Sequence, residues 1–307
     1  MKTKKSASAG EPVVVCTYGP SGVGKTTDMG YSFPRALFLA APGALNSVKS
    51  VCGYEPDRAF VATIEQATEV IEEVGDTGRY RTVVIDDFSF MAEQTFSALE
   101  ADKRYSGFKL WGKMRDVALS FRDKSRYAGV NVILNCWEQP PKNRDNGAVI
   151  RGGPQLSGKL PESIPALCDV VLRASIEKRR KPWPAVYRCT PDPSYVMKDR
   201  FNVATVCDPA PMNLAELLRA SGIEIQRHAD LAEQEQQVQT ISESLSGKIA
   251  DDASLVNEVY AQLIASGTSP HHARWTLRDA VDRAVIRSEL GSHALSFFDV
   301  SSNTLLG

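Results

Sequence analysis

The sequence predicts an α/β fold, a mostly parallel sheet flanked by helices, with a C-terminal helical appendage. Three observations lead there. Strand-like and helix-like runs alternate up to about residue 220, as in a parallel sheet with crossover helices. The strand-like runs are continuously apolar, as strands buried on both faces are. The first of them breaks into glycines, a lysine and two threonines, in the stretch VVVCTYGPSGVGKTTDMG at 13–30.

Val13, Val14, Val15, Cys16 and Thr17 read as the buried first strand. Gly19, Gly24, Lys25 and Thr26 then match G-x-x-x-x-G-K-[ST], a loop that cradles polyphosphate. The whole segment Gly19, Pro20, Ser21, Gly22, Val23, Gly24, Lys25, Thr26 and Thr27 is the expected nucleotide contact. Glycines let the chain curl so that several N–H groups face one anion. A helix starting near Lys25 adds its positive dipole end. Lys25 is expected on the β- and γ-phosphates of ATP, and the Thr26 hydroxyl on Mg²⁺.

Further strand-like runs lie at 36–40, 59–62, 82–86, 130–135, 169–174 and 185–189. Helical periodicity appears at 64–74, 88–100 and 110–127, and a short helix at 213–221. In RTVVIDDFSFM, 81–91, an apolar strand ends in two carboxylates. Asp86 is placed to hold Mg²⁺, directly or through water. Asp87 reads equally as a water-orienting group or as the cap of the next helix.

With 307 residues and 43% hydrophobic content, the chain has room for one large domain and a smaller module. A net charge of −1 provides no global attraction for nucleic acid, so any such contact must come from local basic loops. No apolar stretch approaches membrane-spanning length, and the start MKTKKSASAG lacks the apolar segment of a signal peptide. The six cysteines, 16, 52, 136, 168, 189 and 207, have no CxxC spacing and suit a reducing cytoplasm. The expected divisions are a basic tail at 1–11, an ATPase core at 12–225, a linker or solvated helix at 226–247, and a small helical module at 248–307. In the last, Leu255, Val259, Leu263 and Ile264 form a helical stripe. Ser269-Pro270 reads as a helix start, and Trp275, Leu277, Val281 and Val285 continue the pattern to Gly291.

Seven stretches in order resemble the RecA-like P-loop ATPases, above all the small phage-encoded ones related to single-strand annealing proteins. They are GPSGVGKT (19–26), RALFLAAPG (35–43), VVIDDFS (83–89), FKLWGKMRD (108–116), VILNCWEQ (132–139), GPQLSGKLPESIPALCDVVLRA (153–174) and MKDRFN (197–202). The resemblance covers roughly residues 12 to 205. It implies a γ-phosphate sensor at the end of strand 130–135, among Asn135, Cys136, Trp137 and Glu138. Where relatives place Gln or His, this chain has Cys136 or Trp137. The water-activating glutamate expected after the second strand is replaced by Ala41-Pro42, which implies slow hydrolysis, or a water oriented by Asp87 or Glu138.

The resemblance further implies single-stranded DNA binding by 101–109 and 141–153, and self-association into a filament or ring. Lys103, Arg104, Lys142, Arg144 and Arg151 are the candidate phosphate contacts, with Tyr105, Phe108 and Trp137 as stacking faces. Ordinary solvated loops fit these runs equally well. KRRKPWP (178–184) reads as a hairpin tip. Lys198 and Arg200 match a basic pair that completes a neighbour's nucleotide site; the bland alternative is a turn with an Asp199 ion pair. The expectation is therefore an ATP-dependent protein of DNA annealing or recombination, in the host cytoplasm if phage-encoded. The rivals are a nucleotide-regulated assembly or virion protein using ATP structurally, and a helicase-loader or packaging accessory.

Overall fold

The computed structural model describes residues 12–143, 149–157, 160–177 and 184–225, with shorter pieces beyond 235, chiefly 255–266. Its centre is strand β1 (Val14–Gly19), buried along its whole length. In chain order follow α1 (Lys25–Ser32), β2 (Leu37–Ala40), β3 (Arg58–Ala59), α2 (Ile64–Thr77), β4 (Thr82–Asp86), α3 (Phe88–Ala101), α4 (Phe108–Tyr127) and β5 (Asn131–Gln139). Then come the short strands β6 (Lys142–Asn143), β7 (Val149–Ile150) and β8 (Gly153–Pro154), helix α5 (Leu160–Leu167), β9 (Val170–Ile176) and β10 (Ala185–Arg188). The series ends with β11 (Lys198–Asp199), α6 (Val203–Val206), β12 (Ala210–Pro211) and α7 (Leu214–Ala220).

The strand order is β12-β10-β9-β1-β5-β4-β2-β3, with β11 on β9 and β8 on β5. From β9 to β3 every neighbouring pair is parallel. A sheet so connected needs helices on both faces, which explains why its strands are apolar throughout. One face buries Val15, Val84, Ile133 and Leu172 against Met29 and Phe33 of the first helix segment and Leu214, Leu217 and Leu218 of α7. Strand alternation puts Cys16, Tyr18, Leu134 and Cys136 on the other face, and α3 packs on β5 there. The ring pairs Phe88–Phe121 (5.6 Å) and Phe96–Trp111 (4.9 Å) make α3 and α4 an antiparallel pair.

Two expectations shift at their margins. The strand expected at 59–62 covers only Arg58–Ala59. The one expected at 130–135 runs on to Gln139, because β8 pairs with its extension at Glu138 and Gln139. The hairpin around KRRKPWP stands on the antiparallel pair β9 and β10, while its tip, 178–183, lies outside the described residues.

The chain divides into two compact units. The sheet unit holds residues 10–71 and 82–225. The other holds 1–9, 72–81 and 226–307. Described in the second are helix α8 (Leu255–Ala265), which carries the stripe of Leu255, Val259, Leu263 and Ile264, and a short pair of strands, β13 (Phe298–Asp299) and β14 (Thr304–Leu305). The basic tail, most of 226–247, Ser269-Pro270, Trp275, Val281 and Val285 fall outside the described residues.

At the amino edge of the sheet, buried Asp169 ties four things together. One oxygen accepts from Val14 N (3.0 Å), and the other accepts from Arg126 (2.8 Å) and Arg200 (2.5 Å). Its own N–H donates to the Val14 carbonyl. Removing the carboxylate leaves a buried N–H unpaired and two guanidiniums without their counter-charge, both partly solvated. Asp169→Ala is expected to lower stability by about 3 kcal/mol. Urea unfolding checks this; an unchanged midpoint would show that the cluster is ornamental.

Candidate nucleotide site

The carboxyl ends of β1, β5 and β4 lie side by side, and their registers place Thr17 opposite Asn135 and Asn135 opposite Asp86. The three side chains share the face covered by α1, so a buried polar row lies beneath the phosphate-loop helix. Each glycine expectation is met by a backbone need. A Cβ at Gly19 would lie 2.5 Å from the Ala174 carbonyl of β9. Gly24 sits at φ 100°, in the left-handed region, as the cap of α1, and offers no side chain to its N–H groups. The first N–H groups of α1 therefore remain open to an anion.

Lys25 is buried and folds back into its own loop, donating to the carbonyls of Gly19 (2.8 Å) and Pro20 (3.1 Å). Burial lowers its pKa, while the nearby charges of Asp86, Asp87 and Glu138 act the other way. Asp86 is buried, and burial pushes its carboxyl above the usual carboxylate range, against opposing hydrogen bonds from Thr26 and Asn135 and the charge of Lys25. Its Oδ1 accepts from Asn135 Nδ2 at 2.6 Å. Its Oδ2 and the Asn135 Oδ1 are buried without a partner. An unpaired buried carboxylate oxygen beside a threonine hydroxyl is an incomplete arrangement, and a hard cation with oxygen ligands completes it. The residues thus fit Mg²⁺, which Thr26 and Asp86 would hold. Bound there, the ion neutralises charge on the phosphates.

The candidates for water activation separate. Asp87 does cap α3: its Oδ1 accepts from Phe90 N at 2.5 Å, which leaves its second oxygen for other use. Burial and the adjacent Asp86 raise its pKa to about 6, against the hydrogen bond from Phe90. Glu138 is not free. Both its oxygens accept from Arg173, at 3.0 Å each. The sensor position also resolves. Cys136 is buried on the opposite face, with its sulfur 3.8 Å from that of Cys16, so Asn135 is the polar group that reaches the site. Trp137 donates its N–H to Ser89 Oγ of α3 at 3.0 Å.

The remaining candidates lie elsewhere. Lys198 donates to the carbonyls of Pro165 and Cys168, and Arg200 binds Asp169, at the amino edge, away from the phosphate loop of the same chain. Asp199 is not their partner; it caps α6 through Val203 N and Ala204 N. Lys103 is exposed, and Arg104 is held by Asp102 and stacked on Tyr105. Lys142 is exposed. Arg151 donates to the carbonyls of Asp192 and Tyr195, and Arg144 lies outside the described residues.

Sequence reasoning missed two residues. Arg173 is a charge inside an apolar strand run, which by itself signals a buried partner. Asp28 of α1 accepts from Tyr187 Oη (2.6 Å) and from Leu214 N (3.3 Å), fastening the phosphate-loop helix to β10 and α7. Nothing local in the sequence announces those partners.

A glycine loop on the central strand, a lysine within it, and a carboxylate at the end of β4, one strand further across β5, define a P-loop ATPase of RecA-like fold. The chain belongs to the AAA domain family, which its residues 11–201 match. Among solved structures it is similar to a KaiC-like protein from the hyperthermophilic archaeon Pyrococcus horikoshii OT3. That match has 15% identity over 61% of this chain and 83% of the other, with a TM-score of 0.36. No curated protein matches the sequence significantly. No helix among the described residues is long and apolar enough to cross a membrane.

Two outcomes follow for Lys25. Lys25→Ala should abolish ATP binding in a calorimeter while leaving the circular dichroism unchanged, since the side chain faces the loop and not the apolar core. A bound polyphosphate also raises the lysine's lowered pKa, so binding should take up protons on the alkaline side, just below the ordinary lysine range, and not near neutrality. Calorimetry in buffers of differing ionisation heat, run across the alkaline range, reads this directly; equal heats throughout would contradict the assignment.

Proposed function

We propose that this chain is an ATP-dependent single-stranded DNA-binding protein that promotes annealing or strand exchange, of the phage type its sequence resembles. The nucleotide half of this reading rests on the site above. The DNA half rests on one observation, the tip of the α3–α4 pair. Phe108 is 96% exposed at the start of α4, beside exposed Lys103 and Lys109 and half-exposed Trp111. A large aromatic surface left in water among cations suits stacked bases and backbone phosphates. With Arg104 and Arg151 engaged, the phosphate contacts among the described residues are Lys103 and Lys142, with Lys109 added; Arg144 lies outside them.

Hydrolysis in this reading uses Asp87 to orient water, because the Ala41-Pro42 position holds no carboxylate and Glu138 is paired. Asp87 must be ionised to accept a proton, and its raised pKa sets an acid limb. Turnover is expected to fall as pH drops through about 6. In Asp87→Asn the remaining turnover should be low and lack that limb. A limb of unchanged position in the variant would assign it to another group.

Those same two features, the missing carboxylate and the paired Glu138, favour a second reading, a nucleotide-regulated assembly or virion protein in which ATP acts structurally. DNA-stimulated ATPase activity decides between them. For the first reading, affinity for single strands should fall steeply with salt through counterion release. Lys103→Glu with Lys142→Glu should reduce the salt slope by about two units, and Phe108→Ala should cost about 1–3 kcal/mol. Fluorescence anisotropy measures both. A parent that binds no single strand at low salt would sink the DNA reading and leave the second.

A further inference from the structure

The Glu138–Arg173 pair has an unusual position. Glu138 is on β5 and Arg173 on β9, the two strands on either side of β1, so the ion pair crosses over the phosphate-loop strand near its end. Registers place Arg173 opposite Tyr18, the residue before Gly19. Tyr18 lies on the same face and is fully buried, with its hydroxyl unpartnered. The Arg173 guanidinium also lies 3.8 Å from the centre of the Tyr195 ring, and the Tyr195 carbonyl accepts from Arg151. The pair is shielded, with side-chain exposures of 9% for Glu138 and 22% for Arg173, so water does little to loosen it.

We propose that Arg173 is a positioning residue that restrains hydrolysis: stacked on Tyr195, it holds the Glu138 carboxylate away from the attacking water. The inference rests on the ATPase reading above and not on the DNA reading. Glu138 follows Trp137, which pairs in register with Gly19 at the start of the phosphate loop, so it stands at the phosphate end of the site. Freed from Arg173, it can accept a proton from water as the new O–Pγ bond forms and the bond from Pγ to the bridging oxygen breaks, releasing ADP and phosphate. A bidentate arginine removes that capacity, because both carboxylate oxygens are occupied. Tyr195 holds the guanidinium in place by cation–π contact. Arg151 links the stack to segment 141–153, so a ligand that draws Arg151 off the Tyr195 carbonyl loosens the restraint.

The test is DNA-free turnover of the full chain with ATP and Mg²⁺. Arg173→Gln should raise kcat at least threefold with KM little changed, and the rise should vanish in Arg173→Gln with Glu138→Gln. Tyr195→Leu should reproduce a smaller rise, and Arg173→Lys should keep most of the restraint. Binding of a fluorescent ATP analogue confirms that each variant is folded; if Arg173→Gln does not bind it, Tyr195→Leu carries the test. Turnover at or below the parent's in the variants that bind nucleotide overturns the proposal. So does a rise that survives loss of Glu138. If the parent binds no DNA and the rise still occurs, the restraint stands and the DNA reading falls.

Discussion

The close approach of β9 to β1 at Gly19 sets the rest of the site. With the Ala174 carbonyl 2.5 Å from where a Cβ would sit, only glycine fits there. The strand can therefore continue straight into the phosphate loop without being pushed off the sheet. From that fixed point, β1 holds β5 on its other side in register, and β5 in turn holds β4. Thr17, Asn135 and Asp86 come into line only because these strands are parallel and unslipped. A one-residue slip of any of the three strands would send its own member to the opposite face.

The same register sorts the chemistry by face. Residues of one parity, Asn135 and Asp86, meet the phosphate-loop helix; those of the other, Tyr18, Glu138 and Arg173, form a second layer across the strand. The first layer is incomplete in polar terms, with two buried oxygens unpaired. In the second, Glu138 and Arg173 satisfy each other, while the Tyr18 hydroxyl stays unpaired. An open layer is suited to taking up a cation and phosphate.

Much of this was legible in the sequence, for identifiable reasons. The phosphate loop, Lys25, Thr26 and Asp86 belong to local patterns whose geometry follows from glycine conformations and strand ends. The strand at 82–86 was bounded by its own charges and appears at those limits. What could not be read depended on partners far along the chain. Both faces of β5 are buried, so no alternation of apolar and polar residues marks whether Asn135 or Cys136 faces the site. The partner of Glu138 is 35 residues away and that of Asp28 is 159 away. The bland alternative for Lys198 and Arg200, an ion pair with Asp199, fails because β11 lies along β9 and brings Arg200 to Asp169.

The two margins of the sheet share one property. At one end lies β3, only two residues long; at the other lies β12, which contains Pro211. A two-residue strand offers almost no ladder to copy, and a proline lacks the N–H that a further strand would need. The sheet is thus terminated on both sides and is a poor template for another chain. Among the described residues, the edges of the main sheet therefore offer a second copy little to pair with. Contacts made through side chains on helices and loops would be adjustable and reversible, whereas a shared hydrogen-bonded ladder would lock two copies together.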